Sequence, residues 1–433
     1  MTLPPFNLQS TYHLSALFFG GTFKIKVIEP MSDNLGNPLL IKTGVNKGQV
    51  KYTSKVQSIH IAGMKLKPLY EWKTKHEGVF STKEEVLKVL AKRKDTEAGQ
   101  VASLLLLHRE LTKQLATYYV GVINLIYPDN LLHPSFNHVE TDTGRLSCKN
   151  PNVQNQPKSF ESNVRKHFRS RYKNGKLIEC DFSQLEIIVQ AQLSRDKQYI
   201  SDVINKVDFH CKRLATKENL DYNFVKNQVD AQVSEWVEKR SKIKAFSFAR
   251  AYGAGTQKIS EMTGLSKEDV QSLISNEDSY YKGLYKYNLL LGEFVKNSCK
   301  DGMGYYISPT NRRYTFVLED TPKWLKDKGI YSTFSPTKIK NYIVQGTATA
   351  DIVLIMLGKF FRAALPHRDK FLLINTVHDS IILDCQEDYV DFACNLLKEV
   401  LNTTSHVLKE EFNWEWEVPI EFEIKIGDSW GDC

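Results

Sequence analysis

Two aspartates far apart in the chain carry the first chemical signal. Asp181 closes the apolar run Leu177-Ile178-Glu179-Cys180-Asp181, and Asp379 sits in His378-Asp379-Ser380 between the apolar runs 371–377 and 381–383. Short apolar runs of this kind read as strands, and a brief polar break between two of them reads as a tight hairpin. An acid at a hairpin tip and an acid at a strand end can share one edge of a sheet, although 198 positions separate them. Phosphoryl transfer from a nucleoside triphosphate uses such an arrangement, with two metal ions roughly 3.5–4 Å apart held by carboxylates from distant segments. Taken singly, each acid has a plainer reading, because aspartate at a turn or cap is more often structural than catalytic.

Arg240, Lys244, Phe248 and Tyr252 recur every four residues within 233–252, a run that reads as one long helix ended by Gly253. They therefore line one slowly drifting stripe. Its cations can neutralise a triphosphate and its aromatics offer a flat face to a base; an amphipathic helix with a mixed edge is the alternative. The segment Thr141-Asp142-Thr143-Gly144-Arg145-Leu146-Ser147, followed by Asn150-Pro151-Asn152-Val153-Gln154-Asn155, is a polar loop whose side chains can reach base edges and sugars. By itself it is also simply a well-made loop.

These groups need elements to hold them. The 177–181 strand runs into a helix beginning near Ser183. Ser81-Thr82-Lys83-Glu84-Glu85 has the pattern of a capping-box helix start, and 104–119 is a second helical run, so two antiparallel helices form an arm. Residues 21–75 are rich in Lys and Gly with short alternations such as Lys24-Ile25-Lys26-Val27-Ile28, which predict small strands or hairpins. The acidic triplet Asp95-Thr96-Glu97 stands in a Lys-rich stretch with no strand before it and reads as solvated helix or loop.

At 433 residues the chain exceeds one ordinary core, which predicts two or three subdomains around a central sheet. Its 58 Lys and Arg against 50 Asp and Glu suit a polyanionic partner but are ordinary for a soluble protein. Seven scattered cysteines without a Cys-x-x-Cys pair indicate neither a zinc site nor a disulfide framework. Neither a secretory leader nor an apolar run of membrane-spanning length is visible, so the expectation is a soluble, cytoplasmic protein with no membrane partner.

Taken together and in order, these pieces resemble the DNA polymerases of family A, the polymerase-I-like class. Asp181-Phe182-Ser183-Gln184-Leu185-Glu186 is similar to the family's motif A, the ladder from Arg240 to Tyr252-Gly253 to motif B, and Val377-His378-Asp379 to motif C. The Thr-Gly-Arg-Leu-Ser and Pro-Asn-Val-Gln-Asn loop precedes motif A as in the family. The resemblance implies an α+β right-hand fold: a palm with an antiparallel sheet (141–204 with motif A and 336–433 with motif C), helical fingers (205–335), and a partial thumb (1–140) interrupted by the Lys-rich segment 21–75.

The resemblance also implies roles. Asp181, Asp379 and the backbone carbonyl of Phe182 hold two Mg²⁺ ions, for which Mn²⁺ can substitute. Lys244, Arg240 and His210 grip the triphosphate, and Lys244 protonates the departing pyrophosphate. Ser183, Gln184 and Glu186 complete the dNTP site, with Glu186 blocking a ribose 2′-hydroxyl. Phe248 lies against the sugar and Tyr252 near the template base. Asn7, Arg145, Asn152, Gln154, Gly253, Asn341, Gln345 and His378 touch primer–template DNA.

Several positions depart from the family pattern. Ile188 replaces a motif A arginine and Ser380 a motif C glutamate. Thr337 falls where another arginine is expected, with Lys338 beside it as a substitute. Phe6-Asn7-Leu8 already matches the middle of the thumb, so an upstream exonuclease–thumb subunit or a processivity factor is an expected partner. The Asp95-Thr96-Glu97 triplet gives no proofreading exonuclease. The wording of 340–346 looks phage-like, which puts the chain in a host cell's cytoplasm. Two alternatives stand: a single-subunit RNA polymerase, against which Glu186 and the Thr-Gly-Arg-Leu-Ser loop speak, and a non-catalytic primer–template-binding subunit, against which Asp181, Asp379 and Lys244 speak.

Overall fold

The computed structural model describes residues 6–158, 162–251, 254–321 and 323–433, and all their side chains except those of Phe248, Ala251, Lys323 and Trp324. Tyr252, Gly253 and the Phe248 side chain thus lie outside the described residues. The chain divides into two compact units, Met1–Asn124 and Leu125–Cys433.

In the first unit, Ser10 caps the helix Thr11–Phe19, and the strands Gly21–Pro30 and Tyr52–Ile61 pair antiparallel along their whole length, from Gly21 opposite Ile61 to Pro30 opposite Tyr52. Strand alternation turns Phe23, Ile25 and Val27 inward onto Ala16 and Ile61, and leaves Thr22, Lys24, Lys26 and Ile28 outside. The connecting residues 31–51 fold back on themselves through Leu39 N–H to Met31 O and Ile41 N–H to Gln49 O. The helices Glu84–Ala91 and Glu97–Lys113 run antiparallel, with Arg109 donating to Thr82 O at 2.9 Å. Their core is Leu14, Phe18, Leu87, Leu90, Ala102 and Leu105 with Trp72; each fully buried leucine contributes roughly 1.5–3 kcal/mol.

Two local expectations fail here. No capping box forms at Ser81, because the helix begins at Glu84 behind Lys83, which makes no side-chain cap bond. The Ser81 N–H is taken by Trp72 O, and its hydroxyl accepts from Lys83 N at 3.4 Å, so the Ser lies too far upstream. The second helix starts before residue 104, at Glu97, because Thr96 caps it by accepting from Gly99 N at 3.1 Å. It loosens into π-helical turns over Gln114–Val120, where no residue is buried.

The second unit is built on a four-stranded antiparallel sheet in the order Phe371–Val377, Ser380–Cys385, Lys176–Phe182, Phe422–Gly427. Ile178, Cys180 and Phe182 point to one face with Ile381 and Leu383, and pack under the helices Val353–Ala364 and Val390–Asn402 through Met356, Phe360 and Leu397. The period of two then directs Asp181 to the opposite face, which Trp430 covers at Leu177 and Ile382 but which is open at the Asp181 end. Asp181 is exposed although its neighbours Cys180 and Phe182 are buried. The predicted boundaries move slightly: Ser380 already belongs to its strand, and the helix after Asp181 begins at Leu185 behind Gln184, which adopts a left-handed φ of 51°.

A second core in this unit joins the helices Phe209–Glu218, Tyr222–Asp230, Ser234–Ala251, Thr256–Thr263 and Lys267–Tyr280 through Leu214, Val225, Ile243, Phe246, Ile259 and Val270. A half-buried ion network locks three of them. Glu277 receives Arg213 at 2.5 Å and Arg250 at 2.5 Å.

Candidate active site

The two signal aspartates meet at the sheet edge. Ser380 stands opposite Asp181, and Val377 opposite Ser380 leaves His378 and Asp379 as the two turn residues. The Phe182 N–H donates to Asp379 O at 3.0 Å, which pins the hairpin tip to the strand that carries Asp181. His378 holds a φ of 57°, a conformation uncommon for a residue with a Cβ.

Electrostatics mark the pair. Partial burial, then the Asp379 charge and Glu179, push the Asp181 carboxyl up to about 6, against the pull of Lys158 and Lys425. Although Asp181 is exposed to solvent, protein crowds its flanks. Burial likewise raises Asp379, opposed by His378, Arg145 and Lys158. The His378 imidazole is lowered by partial burial and by Arg145.

Glu186 and Arg145 form a clasp beside the pair. Arg145 donates through Nη2 to Glu186 Oε1 at 2.6 Å and through Nε to Thr349 Oγ1 at 2.8 Å. Thr349 passes its own proton to Gln345 O at 2.7 Å, so its oxygen is oriented to accept from the guanidinium. Burial and the Asp379 charge raise Glu186, and Arg145 opposes them. The loop carrying Arg145 turns at Gly144 with φ 80°, where a Cβ would stand 2.6 Å from Arg312 Nη1. Arg312 is in turn held by Asp351 at 2.5 Å. At Gly346 a Cβ would meet Thr143 O at 2.7 Å, so only glycine permits this close approach.

The 150–155 loop docks on the hairpin. Gln154 Nε2 donates to Thr376 O at 2.8 Å, Asn375 Nδ2 donates to Val153 O at 3.4 Å, and the Asn152 amide oxygen caps Gln154 N at 3.0 Å. A cleft lined by Arg145, Leu146, Gln154, Thr349, Thr376 and His378 results.

On the helical side, Asp208 caps the Phe209–Glu218 helix and binds Arg240 through both Nε, at 3.1 Å, and Nη2, at 2.7 Å. His210 Nδ1 lies 3.1 Å from Ser247 Oγ. Ser247 donates to Ile243 O, so the imidazole carries its proton on Nδ1 as the donor. Burial and the charges of Arg213, Arg240 and Lys244 lower His210 to about 4, so it is uncharged near neutrality.

Other marked residues are placed less tellingly. Asn341 and Gln345 are part-exposed on the Pro336–Gln345 helix. Ser183 N–H donates to Glu421 O, and Gln184 is exposed. In the first unit, the Asn7 amide oxygen accepts from Gln9 N at 2.8 Å. Ile188 is buried with Tyr199 and Phe209, where an arginine would lie in an apolar setting. The Ser380 hydroxyl turns inward to Val377 O at 3.2 Å. Lys338 is engaged with Glu319. Sequence reading passed over Thr349, Asp351 and the capping role of Asp208. Only the last had a visible signal, an Asp immediately before the Phe209 helix.

The sequence profile described as DNA polymerase family A matches residues 41–432. DNA polymerase I of Treponema pallidum is 27% identical over 355 residues, covering 82% of this chain and 32% of that protein. The thermostable DNA polymerase I of Thermus aquaticus is 28% identical over 363 residues, covering 83% of this chain and 39% of that protein. The chain therefore spans about a third of the length of the curated relatives it matches. Among solved structures, the POL domain of Pol1 from M. smegmatis, in complex with DNA primer-template and dNTP, superposes with a TM-score of 0.66 at 22% identity, over 84% of this chain and 60% of that one. That likeness shows the fold, a mixed helix-and-sheet right-hand polymerase architecture. With a profile match over most of its length added to this fold, the chain belongs to DNA polymerase family A.

Proposed function

We propose that the chain is a template-directed DNA polymerase that adds dNTPs to a primer 3′-hydroxyl, with palm 141–204 and 336–433, fingers 205–335 and a partial thumb within 1–140. The observation that carries this reading is the meeting of Asp181, near the end of its strand, with Asp379 in the turn of the neighbouring hairpin, where burial and then the Asp379 charge raise the Asp181 carboxyl. Two acids forced together at the open edge of a sheet fit divalent cations. Among the described residues no group of three or more His, Cys, Asp or Glu forms a complete cage. Two carboxylates suit Mg²⁺, or Mn²⁺ in its place, which keeps waters and shares substrate oxygens. We assign the Phe182 carbonyl as the remaining protein ligand. When bound, the ions supply a lowered pKa at the primer hydroxyl and charge neutralisation on the triphosphate.

The chain's own groups do the rest. Lys244 and Arg240 bind the phosphates, Lys244 gives a proton to the departing pyrophosphate, and His210 joins them once a phosphate's charge favours its protonated form. Ser183 and Gln184 border the sugar. Glu186, held by Arg145 through Oε1, stands where a ribose 2′-hydroxyl would crowd it. Phe248 packs on the sugar and Tyr252 by the template base. Asn152, whose oxygen is committed to Gln154, offers its NH₂ to minor-groove acceptors common to all correct pairs. Arg145, Gln154, Asn341, Gln345, His378, Asn7 and Gly253 extend that contact along the duplex. Asp95-Thr96-Glu97 begins a helix through the Thr96 cap, and we assign this triplet no 3′–5′ exonuclease chemistry.

Primer extension by the purified chain with Mg²⁺ and four dNTPs, beside Asp379→Ala, tests the reading. Extension lost with Asp379 is expected. Binding of primer–template without extension by either protein would favour a non-catalytic clamp, and preference for NTPs would favour an RNA polymerase.

A further inference from the structure

The chain's excess positive charge sits in one place. Residues 1–124 hold 17 Lys and Arg against 9 Asp and Glu, whereas the remaining 309 residues balance at 41 against 41. Within the smaller unit the excess concentrates in residues 21–75, with ten lysines against three acids. This segment is the paired ribbon Gly21–Pro30 and Tyr52–Ile61 with its folded-back connection and the stretch that follows. All ten lysines are exposed. Among the described residues only two of them engage a side chain: Lys55, which pairs with Glu29 at 3.0 Å, and Lys73, which lies 4.5 Å over the Tyr70 ring.

The ribbon's two faces differ. One packs Phe23, Ile25 and Val27 onto its own unit. The other carries Lys24 and Lys26 among Thr22, Ser54, Ser58 and His60, with Ile28 and Val56 as its apolar members. Lysines and hydroxyls are the groups that bind phosphate oxygens without reading bases. Its rings, Tyr52 and His60, stand at opposite ends of this face, so it lacks a continuous platform for stacking bases. An exposed, twisted two-stranded ribbon can also follow a groove of a duplex.

We propose that the outer face of this ribbon and its folded-back connection form a sequence-independent grip on the sugar–phosphate backbone of duplex DNA. The inference rests on the polymerase reading, because the duplex it names is primer–template. An acidic protein surface is the rival occupant.

The test is binding of labelled primer–template by the whole chain, wild type against K24A/K26A/K42A/K51A, from about 50 to about 200 mM salt. Each phosphate contact steepens the log–log salt slope by about 0.9, so four contacts make the wild type lose about 150-fold more affinity than the variant over this range. The matching Lys→Arg variant is expected to keep the wild-type slope. Should the alanine variant melt early, Lys24→Gln with Lys26→Gln decides the matter, with an expected difference of about 12-fold. A difference below about 3-fold, less than one contact, overturns the proposal and points to an acidic protein instead. A wild type that binds no primer–template at all overturns the polymerase reading along with this one.

Discussion

Replacing Asp181 by Asn is expected to make the metal-free protein more stable while abolishing its activity. The Asp181 carboxyl rises from 3.8 to about 6 in the folded chain, which at full value corresponds to about 3 kcal/mol. Solvent reaches this side chain, so screening reduces the expectation to about 1 kcal/mol. The sign follows from the raised value: the folded state holds the proton more tightly than the unfolded one. The wild type therefore gains stability as pH falls from above 6 towards 3.8. The variant's advantage is full near pH 8, roughly halved by about pH 5, and gone below about pH 4. Differential scanning fluorimetry in EDTA should show a rise in Tm of about 1–3 °C at the higher pH. Millimolar Mg²⁺ should then stabilise the wild type and leave the variant unmoved. A variant equal to or less stable than wild type near pH 8, with no pH trend, would refute the reasoning that burial, together with the Asp379 charge, disfavours the ionised Asp181.

Glu277→Gln leaves Arg213 without a charged partner among the described residues, whereas Arg250 keeps Asp278 at 2.7 Å, and should cost about 3 kcal/mol in urea denaturation; a loss under about 1 kcal/mol would count against Glu277 as a lock. Burial raises the Glu277 carboxyl but the two arginines outweigh it, so its contribution is complete above 4.5 and fades as pH falls through the lower folded-state value. Arg145→Ala frees Glu186, and the dNTP-over-NTP preference in single-nucleotide extension should drop by about 10-fold or more, the worth of one charge-assisted hydrogen bond. Phe248→Tyr should raise dideoxynucleotide incorporation by about 10-fold, and an unchanged ratio would undo the placement of Phe248 on the sugar.

The sequence exposed those parts of the site that depend on local pattern. Strand alternation and a two-residue break are enough to bring Asp181 and Asp379 together, because hairpin geometry leaves little freedom in register. The Arg145–Glu186–Thr349 clasp was not legible. Its members come from a loop and two helices, and nothing local tells a guanidinium which carboxylate it will meet. The same holds for Arg240, which reads as a free cation in a helical stripe and is bound to Asp208. The neutral state of His210 depends on burial and on three cations gathered by tertiary packing. At Ser81 a local pattern was present but was overruled by the preceding chain, which had already claimed its N–H.

The double duty of Asp208 has a consequence for how nucleotide would enter. Arg240 does not wait as a bare charge, since a fixed anion already occupies it through two nitrogens. Under the proposed reading, admission of a triphosphate is thus an exchange of one anion for another. A lone phosphate gains little from such a swap, whereas a tail carrying several charges can displace the carboxylate and still reach Lys244. The resident aspartate sets a toll that favours the polyvalent visitor, and it returns the arginine to rest when pyrophosphate leaves.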